Sequence, residues 1–258
     1  MMSTFIHPTA LVSPTARIGA NVNIGPFCVI EDKVIIKSGC SINSFVHISN
    51  NTHIGKDCQI FQGSVIGEIP QDLKYGGEET KLIVGDRTKI REFCTINKGT
   101  KANGETVIGN DVLLMAYVHI AHDCIIGDNV ILANGVQLGG HVEIGDWVTV
   151  GGMTPVHQFT KIGCHSFIGG GYRIVQDIPP YILAMGEPLK YAGINSIGLR
   201  RRNFPSDVRD LIKKIYKIIF KSKTNISDSM NLINNDYSEF KEANIIMEFI
   251  KNSSRGLI

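Results

Sequence analysis

A mainly β chain, wound as a parallel β-helix of hexapeptide repeats and followed by an α-helical tail, is predicted by three features of the sequence. An aliphatic residue stands at almost every sixth position, a small or β-branched residue follows it four places later, and the period changes near residue 205. Of the 29 positions divisible by six from Ile6 to Ile174, 26 hold Ile, Val or Leu, and the series from Ile18 to Ile66 and from Ile108 to Ile174 are unbroken. An amphipathic helix would show a period near 3.6 and a half-buried strand one of 2.0. A six-residue unit fits neither, but it fits a short strand plus a corner, with three units closing an 18-residue triangular coil.

The small column includes Val22, Cys28, Val34, Cys40, Val46, Cys58, Cys94 and Cys124. Five of the six cysteines therefore fall on inward positions, where a reduced thiol packs as a small apolar group. Cys164 lies off that column. Glycine often follows the aliphatic residue, as at Gly25, Gly109, Gly127 and Gly145, and is expected to ease tight corners. The hexapeptides amount to about ten coils, each rising roughly 4.8 Å. Asp72, Glu78 and Ala102 break the ladder inside two polar stretches, which predicts loops at 68–81 and 99–105 ejected from the corners, where binding residues tend to gather.

The repeat ends at Ile174, so the β-helix is expected over 1–174 and a second unit, an irregular connector plus a helical domain, over 175–258. Pro179, Pro180 and Pro188 oppose a continuous element in the connector. After Pro205 the spacing Val208, Leu211, Ile212, Ile215, Ile218, Ile219 is that of an amphipathic helix, with Lys221 and Lys223 at its end. Ser227 is read as the cap of a short helix through Ile233, and Phe240, Ala243, Ile246, Phe249 and Ile250 outline another. Residues 175–258 carry 13 Lys+Arg and 9 Asp+Glu, a balance of +4 against −2 for the remainder. An anionic ligand or partner would favour this end.

Composition removes several classes. A net charge of +2 calls for neither nucleic acid nor an anionic membrane surface. No window reaches the roughly 18 apolar residues of a membrane span, and the first residues do not read as a secretion signal, so a soluble, cytoplasmic chain without membrane insertion is expected. Six cysteines diluted over 258 residues do not make a disulfide scaffold.

Repeat arithmetic then asks which polar residues meet. Divided by 18, His157, His122 and His141 leave remainders 13, 14 and 15, so they lie on one face in successive coils; Asp123 shares the remainder of His141, and Gln158 that of His122. Three histidines with an open position suit catalytic zinc, but Gln158 and the neighbouring glycines add no ligand, and no metal is expected. A general base needs an imidazole with an acid nearby, which His122 followed by Asp123 supplies. Acyl transfer also needs oxyanion donors, and the backbone N–H of Gly139 or Gly140 lies one coil on. The run Arg200, Arg201, Arg202 can fork onto phosphate oxygens, and Asp72 and Lys74 offer an acceptor and a cation.

The segments HIAHDC (119–124), IGEIPQDLKY (66–75), GGHVEIGD (139–146), GGMTPVHQF (151–159), QDIPPY (176–181), GLRRRNF (198–204) and the terminal SSRGLI resemble the acyl-[acyl carrier protein]:UDP-N-acetylglucosamine O-acyltransferases, which open lipid A synthesis, and the resemblance runs over essentially the whole chain. It implies a left-handed β-helix and a homotrimer with active sites between subunits. It further implies His122 as the general base on the glucosamine 3-hydroxyl, Asp123 as the group that orients it, Gly140 N–H as the oxyanion donor and His141 as a positioning histidine. Asp72 and Lys74 match residues that hold the sugar nucleotide and help place the donor, and His119, His157 and Gln158 match further substrate contacts. Asn195, Arg201 and Arg202 match the nucleotide and donor side. No cofactor is implied: UDP-N-acetylglucosamine is the acceptor, and the acyl donor rides on the phosphopantetheine of acyl carrier protein. Gly170 matches the end of the acyl groove, where the missing side chain implies a long 3-hydroxyacyl chain. The chain departs from the family pattern at Ile197, where many relatives carry an acid. Two alternatives stand beside this reading: the same family acting on a 3-amino sugar nucleotide to form an amide, and a zinc hydratase on the same scaffold.

Overall fold

Two-residue strands alternate with four-residue corners over most of the span from Phe5 to Ile168, and each strand pairs in parallel with the strand one turn further on. The computed structural model describes residues 3–221 and 225–258, so Lys223, read at a helix end, lies outside the described residues. The strands form three sheets of eleven, eight and eight, the faces of a left-handed parallel β-helix. Register sets aliphatic on aliphatic: Ile24 pairs with Ile42, Ile42 with Ile60, Leu114 with Leu132 and Leu132 with Val150. Ile24, Ile48, Ile66, Leu114 and Ile168 are all fully buried, with Val22, Cys28, Cys58 and Val136 filling the small column between them.

The structure corrects three details. One sheet stacks nine coil strands up to Phe167–Ile168 and the other two stack eight, so the helix has between eight and nine turns rather than about ten. Ile60 pairs with Ile90 and Ile90 with Leu114, steps of 30 and 24 residues, so the two loops remove one coil's worth of chain from the stack. Glu68 and Lys81 end and begin strands, as does Glu105, which leaves the excursions at 69–80 and 98–104.

Glycine after the aliphatic residue does not make the corner turn. A Cβ on Gly145 would stand 2.8 Å from the Cys164 nitrogen, and one on Gly151 2.3 Å from the Gly170 nitrogen, so these positions are small because successive coils touch there. The turn falls two residues later, where Phe27, Phe45, Asp123, His141, Trp147 and His165 all adopt left-handed φ near +60°. Such a conformation is costly for residues with a Cβ, and here the flanking ladders impose it. One corner adds a polar ladder in which each side chain accepts the amide of the coil before: Lys56 N–H to Asp86, Asp86 N–H to Asn110, Asn110 N–H to Asp128 and Asp128 N–H to Asp146, at 2.7 to 2.8 Å.

Beyond the repeat, the connector is less irregular than its prolines suggest. Ile182–Met185 pairs in parallel with the last coil and antiparallel with Lys190–Ile194, and this hairpin covers the end of the first sheet. Pro188 falls in its turn. Four helices follow: α1 (Ser196–Arg201), α2 (Ser206–Lys221), α3 (Ile226–Tyr237) and α4 (Lys241–Lys251). The arginine run, read as a turn before a helix, lies largely in α1, whose N-cap is Asn195. The cap of α3 is Asn225, which accepts from Asp228 N–H, and not Ser227. On α2 the expected residues Leu211, Ile212, Ile215 and Ile219 are buried, joined by Tyr216, whose hydroxyl donates to the Pro180 carbonyl at 2.6 Å.

If the ladder carries the stability, Ile48→Ala should cost about 3 to 5 kcal/mol in chemical denaturation, whereas Leu73→Ala on the exposed loop should stay within about 0.5 kcal/mol.

Candidate active site

Asp123 is the buried centre of the site. Its left-handed corner turns the carboxylate inward, where it has no exposure and accepts the Thr100 amide at 2.9 Å and the Thr100 hydroxyl at 2.7 Å. His122 Nδ1 lies 2.8 Å from the same carboxylate, and His141 Nε2, one coil on, lies 3.5 Å away. Burial pushes the Asp123 pKa up, but the hydrogen bonds from Thr100 and His122, with the nearby His141, outweigh it and hold the carboxyl below its ordinary value. An ionised Asp123 fixes the His122 tautomer with hydrogen on Nδ1, leaving the Nε2 lone pair outward.

The two imidazoles meet edge to face at 5.2 Å between ring centres, and Phe159, the next rung of the column, stacks on His141 at 4.5 Å. Gly140 packs against His122: a Cβ there would stand 2.7 Å from the ring. Gly140 is buried, and among the described residues its N–H donates to no acceptor, unlike the capped amides of the polar-ladder corner. A buried donor without a partner is a place for an oxygen to arrive.

A cavity of about 530 Å³ is lined by Asp72, Leu73, Lys74, His122, His141, Gln158 and Phe159 among others, so the first loop reaches the histidine corner of its own chain. Asp72 braces that loop by accepting Lys74 N–H at 3.0 Å. His157 is exposed, its Nδ1 3.1 Å from the Gln158 carbonyl. His119 sits in the strand before the corner, 2.8 Å from the Thr95 hydroxyl, with its pKa lowered by burial. Neither His119 nor His157 lines that cavity.

Asn195, Arg201 and Arg202 do not join this group within one chain. Asn195 and Arg202 gather at the corner of Trp147 and His165, with Arg201 exposed beside them on α1, whereas Gly170 sits at the third corner, where a Cβ would lie 3.0 Å from the Gly152 carbonyl oxygen. Ile197, in the first turn of α1, is exposed. The residues expected to cooperate thus occupy three separate edges of the prism.

Sequence reasoning missed Thr100 and Phe159. It also missed Asp177, the rung beyond Phe159, which is buried and binds the tail through the Ser253 hydroxyl at 2.7 Å and the Ser254 and Arg255 amides at 3.1 and 3.2 Å. Ser254 in turn lines a smaller cavity with Asp123, His141 and Phe159. The 18-residue spacing from His141 was the signal for Phe159 and Asp177. The ligating atoms of His122, Asp123 and His141 lie within 4.8 Å of one another, a set that could hold a metal ion. Cys124 and Cys164, the thiols at this end of the stack, are poor nucleophiles, since burial pushes Cys124 up to about 12 and Cys164 up to about 11.

A hexapeptide β-helix with a helical tail, carrying a histidine–carboxylate pair at one corner, places the chain among the hexapeptide-repeat transferases. The family model described as UDP N-acetylglucosamine O-acyltransferase, domain 2, matches residues 177–258, and the bacterial transferase hexapeptide model matches 105–140. The chain is 46% identical to the acyl-[acyl-carrier-protein]–UDP-N-acetylglucosamine O-acyltransferase of Nautilia profundicola over 79% of this chain and 78% of that one. The crystal structure of the UDP-N-acetylglucosamine acyltransferase LpxA from Bacteroides fragilis superposes with a TM-score of 0.97 at 43% identity, covering 98% of this chain and all of the other. LpxA from Acinetobacter baumannii gives 0.95 at 42%, covering 98% and 99%. The chain belongs to the acyl-[acyl-carrier-protein]–UDP-N-acetylglucosamine O-acyltransferase family and is an acyltransferase.

Gly140→Ala must displace the His122 ring, and a drop in turnover of roughly 100-fold with little change in melting temperature is the expected outcome. Acid stability follows from His165, whose pKa burial and the Arg202 charge lower from 6.5 to about 4. The folded state therefore favours neutral His165, and that stability is complete above about pH 6.5 and is lost as pH falls toward 4. Denaturation series between pH 7 and 4 should lose on the order of 2–3 kcal/mol from this group, and less in His165→Asn.

Proposed function

We propose that the protein transfers an (R)-3-hydroxyacyl chain from acyl carrier protein to the 3-hydroxyl of UDP-N-acetylglucosamine, the first step of lipid A synthesis, by direct attack on the thioester. The observation that carries this reading is the Asp123–His122 pair beside the unpartnered Gly140 N–H. His122 Nε2 takes the hydroxyl proton as the oxygen attacks the thioester carbonyl carbon, and Asp123 stabilises the imidazolium. The oxyanion of the tetrahedral intermediate accepts from Gly140 N–H. Collapse breaks the C–S bond, the imidazolium returns its proton to the leaving thiolate, and an ester and a free phosphopantetheine thiol result.

His141, held against Phe159, and Asp72, Lys74 and Gln158 around the cavity position the sugar nucleotide. His119 and His157 add contacts at its edge, and Asn195, Arg201 and Arg202 serve the anionic nucleotide and donor. Because these sets lie on different edges, one chain supplies an incomplete site, which supports a homotrimer with sites between subunits. The column of exposed Phe27, Phe45, Phe93, Tyr117 and Met153 gives such an assembly an apolar surface to bury. No cofactor takes part. Among the described residues no helix is long and apolar enough to cross a membrane, and the enzyme works in the cytoplasm. Gly170 leaves the acyl groove open toward long donors.

Acyl transfer to UDP-N-acetylglucosamine from a panel of 3-hydroxyacyl carrier proteins, read by mass, tests the reading. His122→Ala should slow transfer by about 10²–10⁴-fold, a chelator should leave the wild-type rate unchanged, and Gly170→Met should shift preference to shorter donors. Transfer only to a 3-amino sugar nucleotide would favour amide formation, and a chelator-sensitive rate would favour a metal at His122, Asp123 and His141.

A further inference from the structure

The second corner is more ordered than a solvated arginine run requires. His165 stands between Trp147 and Tyr181, with ring centres 6.3 and 5.5 Å away and planes within 6° and 12°, and Phe204 meets it edge-on at 5.0 Å. Two of the residues assigned to the anionic substrates converge on it. Asn195 donates from Nδ2 to the His165 carbonyl at 2.9 Å, and Arg202 reaches the ring Nδ1 with Nη1 at 3.4 Å while its guanidinium covers Trp147 at 5.1 Å. Among the described residues the Arg201 side chain makes no hydrogen bond or ion pair, and it is exposed. One arginine of the run is fixed and its neighbour is free.

Guanidinium has donors and no acceptor, so contact with Arg202 requires an unprotonated Nδ1 on His165 and places the ring hydrogen on Nε2. Burial and the Arg202 charge keep the imidazole neutral down to a pKa of about 4, which preserves that acceptor at any working pH. With one N–H engaged and one face on Trp147, the remaining N–H groups of Arg202 are held in one orientation before substrate arrives.

We propose that His165 is a positioning residue that orients the Arg202 guanidinium, through its Nδ1 acceptor, for a phosphate group of the substrates. The proposal rests on the reading that Arg202 contacts an anionic substrate. Pre-ordering a long side chain lowers the cost of binding and acts before chemistry, so its loss moves KM and not kcat.

Steady-state kinetics on the intact oligomer separate the possibilities. His165→Phe keeps a ring between Trp147 and Tyr181 but has no acceptor, and should raise KM for one anionic substrate about 3- to 10-fold with kcat within about twofold. His165→Asn loses the ring, tolerates the left-handed φ of +60° and presents an amide oxygen near the Nδ1 position; it should restore KM to within about twofold. In the double variant His165→Phe, Arg202→Ala the His165 change should add nothing to the Arg202 change. Wild-type KM in His165→Phe, or a KM raised as much by Asn as by Phe, would overturn the proposal. If His165→Phe does not assemble, His165→Ala takes its place in the same cycle, and additive effects with Arg202→Ala would overturn it. Arg202→Ala with unchanged KM would instead remove the substrate contact on which the proposal rests, a distinct result.

Discussion

The register of one coil on the next governs this molecule. A parallel ladder that sets Ile on Ile every 18 residues buries a continuous aliphatic column, and a shift by one residue would turn that column outward. Chain can therefore leave the stack only where it re-enters in register. The two excursions obey this, adding twelve and six residues to their coils, so that Ile60, Ile90 and Leu114 still stack. Polar residues at the corners are carried along by the same register. Asp123, His141, Phe159 and Asp177 form one column because aliphatic burial elsewhere in each coil puts them there.

That column places a carboxylate where its energetics are demanding. An unpaired buried charge is expensive, and Asp123 is tolerated because the second loop brings Thr100 to supply an amide and a hydroxyl while His122 and His141 approach from the corner. The first loop closes the other side with Asp72 and Lys74. The excursions that interrupt the hydrophobic pattern are thus the parts that complete the site, one by satisfying its buried charge and one by forming a wall.

Much of this was legible in the sequence because period six is a strong signal and the coil phase follows by arithmetic. The remainders grouped His157, His122, His141, Asp123 and Gln158, of which His157 stays exposed outside the cavity, and the small column gave the inward cysteines. What was not legible depended on geometry that a remainder does not carry. Thr100 lies on an excursion, so no phase relates it to Asp123. The left-handed corner residue was mistaken for its glycine neighbour, since close approach between coils and a sharp turn both select small residues. The hairpin at Ile182–Met185 hid behind prolines that fall at its flanks and turn. Tyr216 looks like a surface aromatic on a lysine-rich helix until the Pro180 carbonyl appears above it.

The spread of the candidate residues over three edges also bears on how such a chain can change over generations. In a stack where each coil touches only its neighbours, substitutions along one edge are relayed up and down that edge far more than across the prism. The edge with Gly170, the edge with His122 and the edge with His165 can then accumulate variation as nearly independent lineages of mutation. A substitution near Gly170 can thereby leave the packing of the histidine pair untouched.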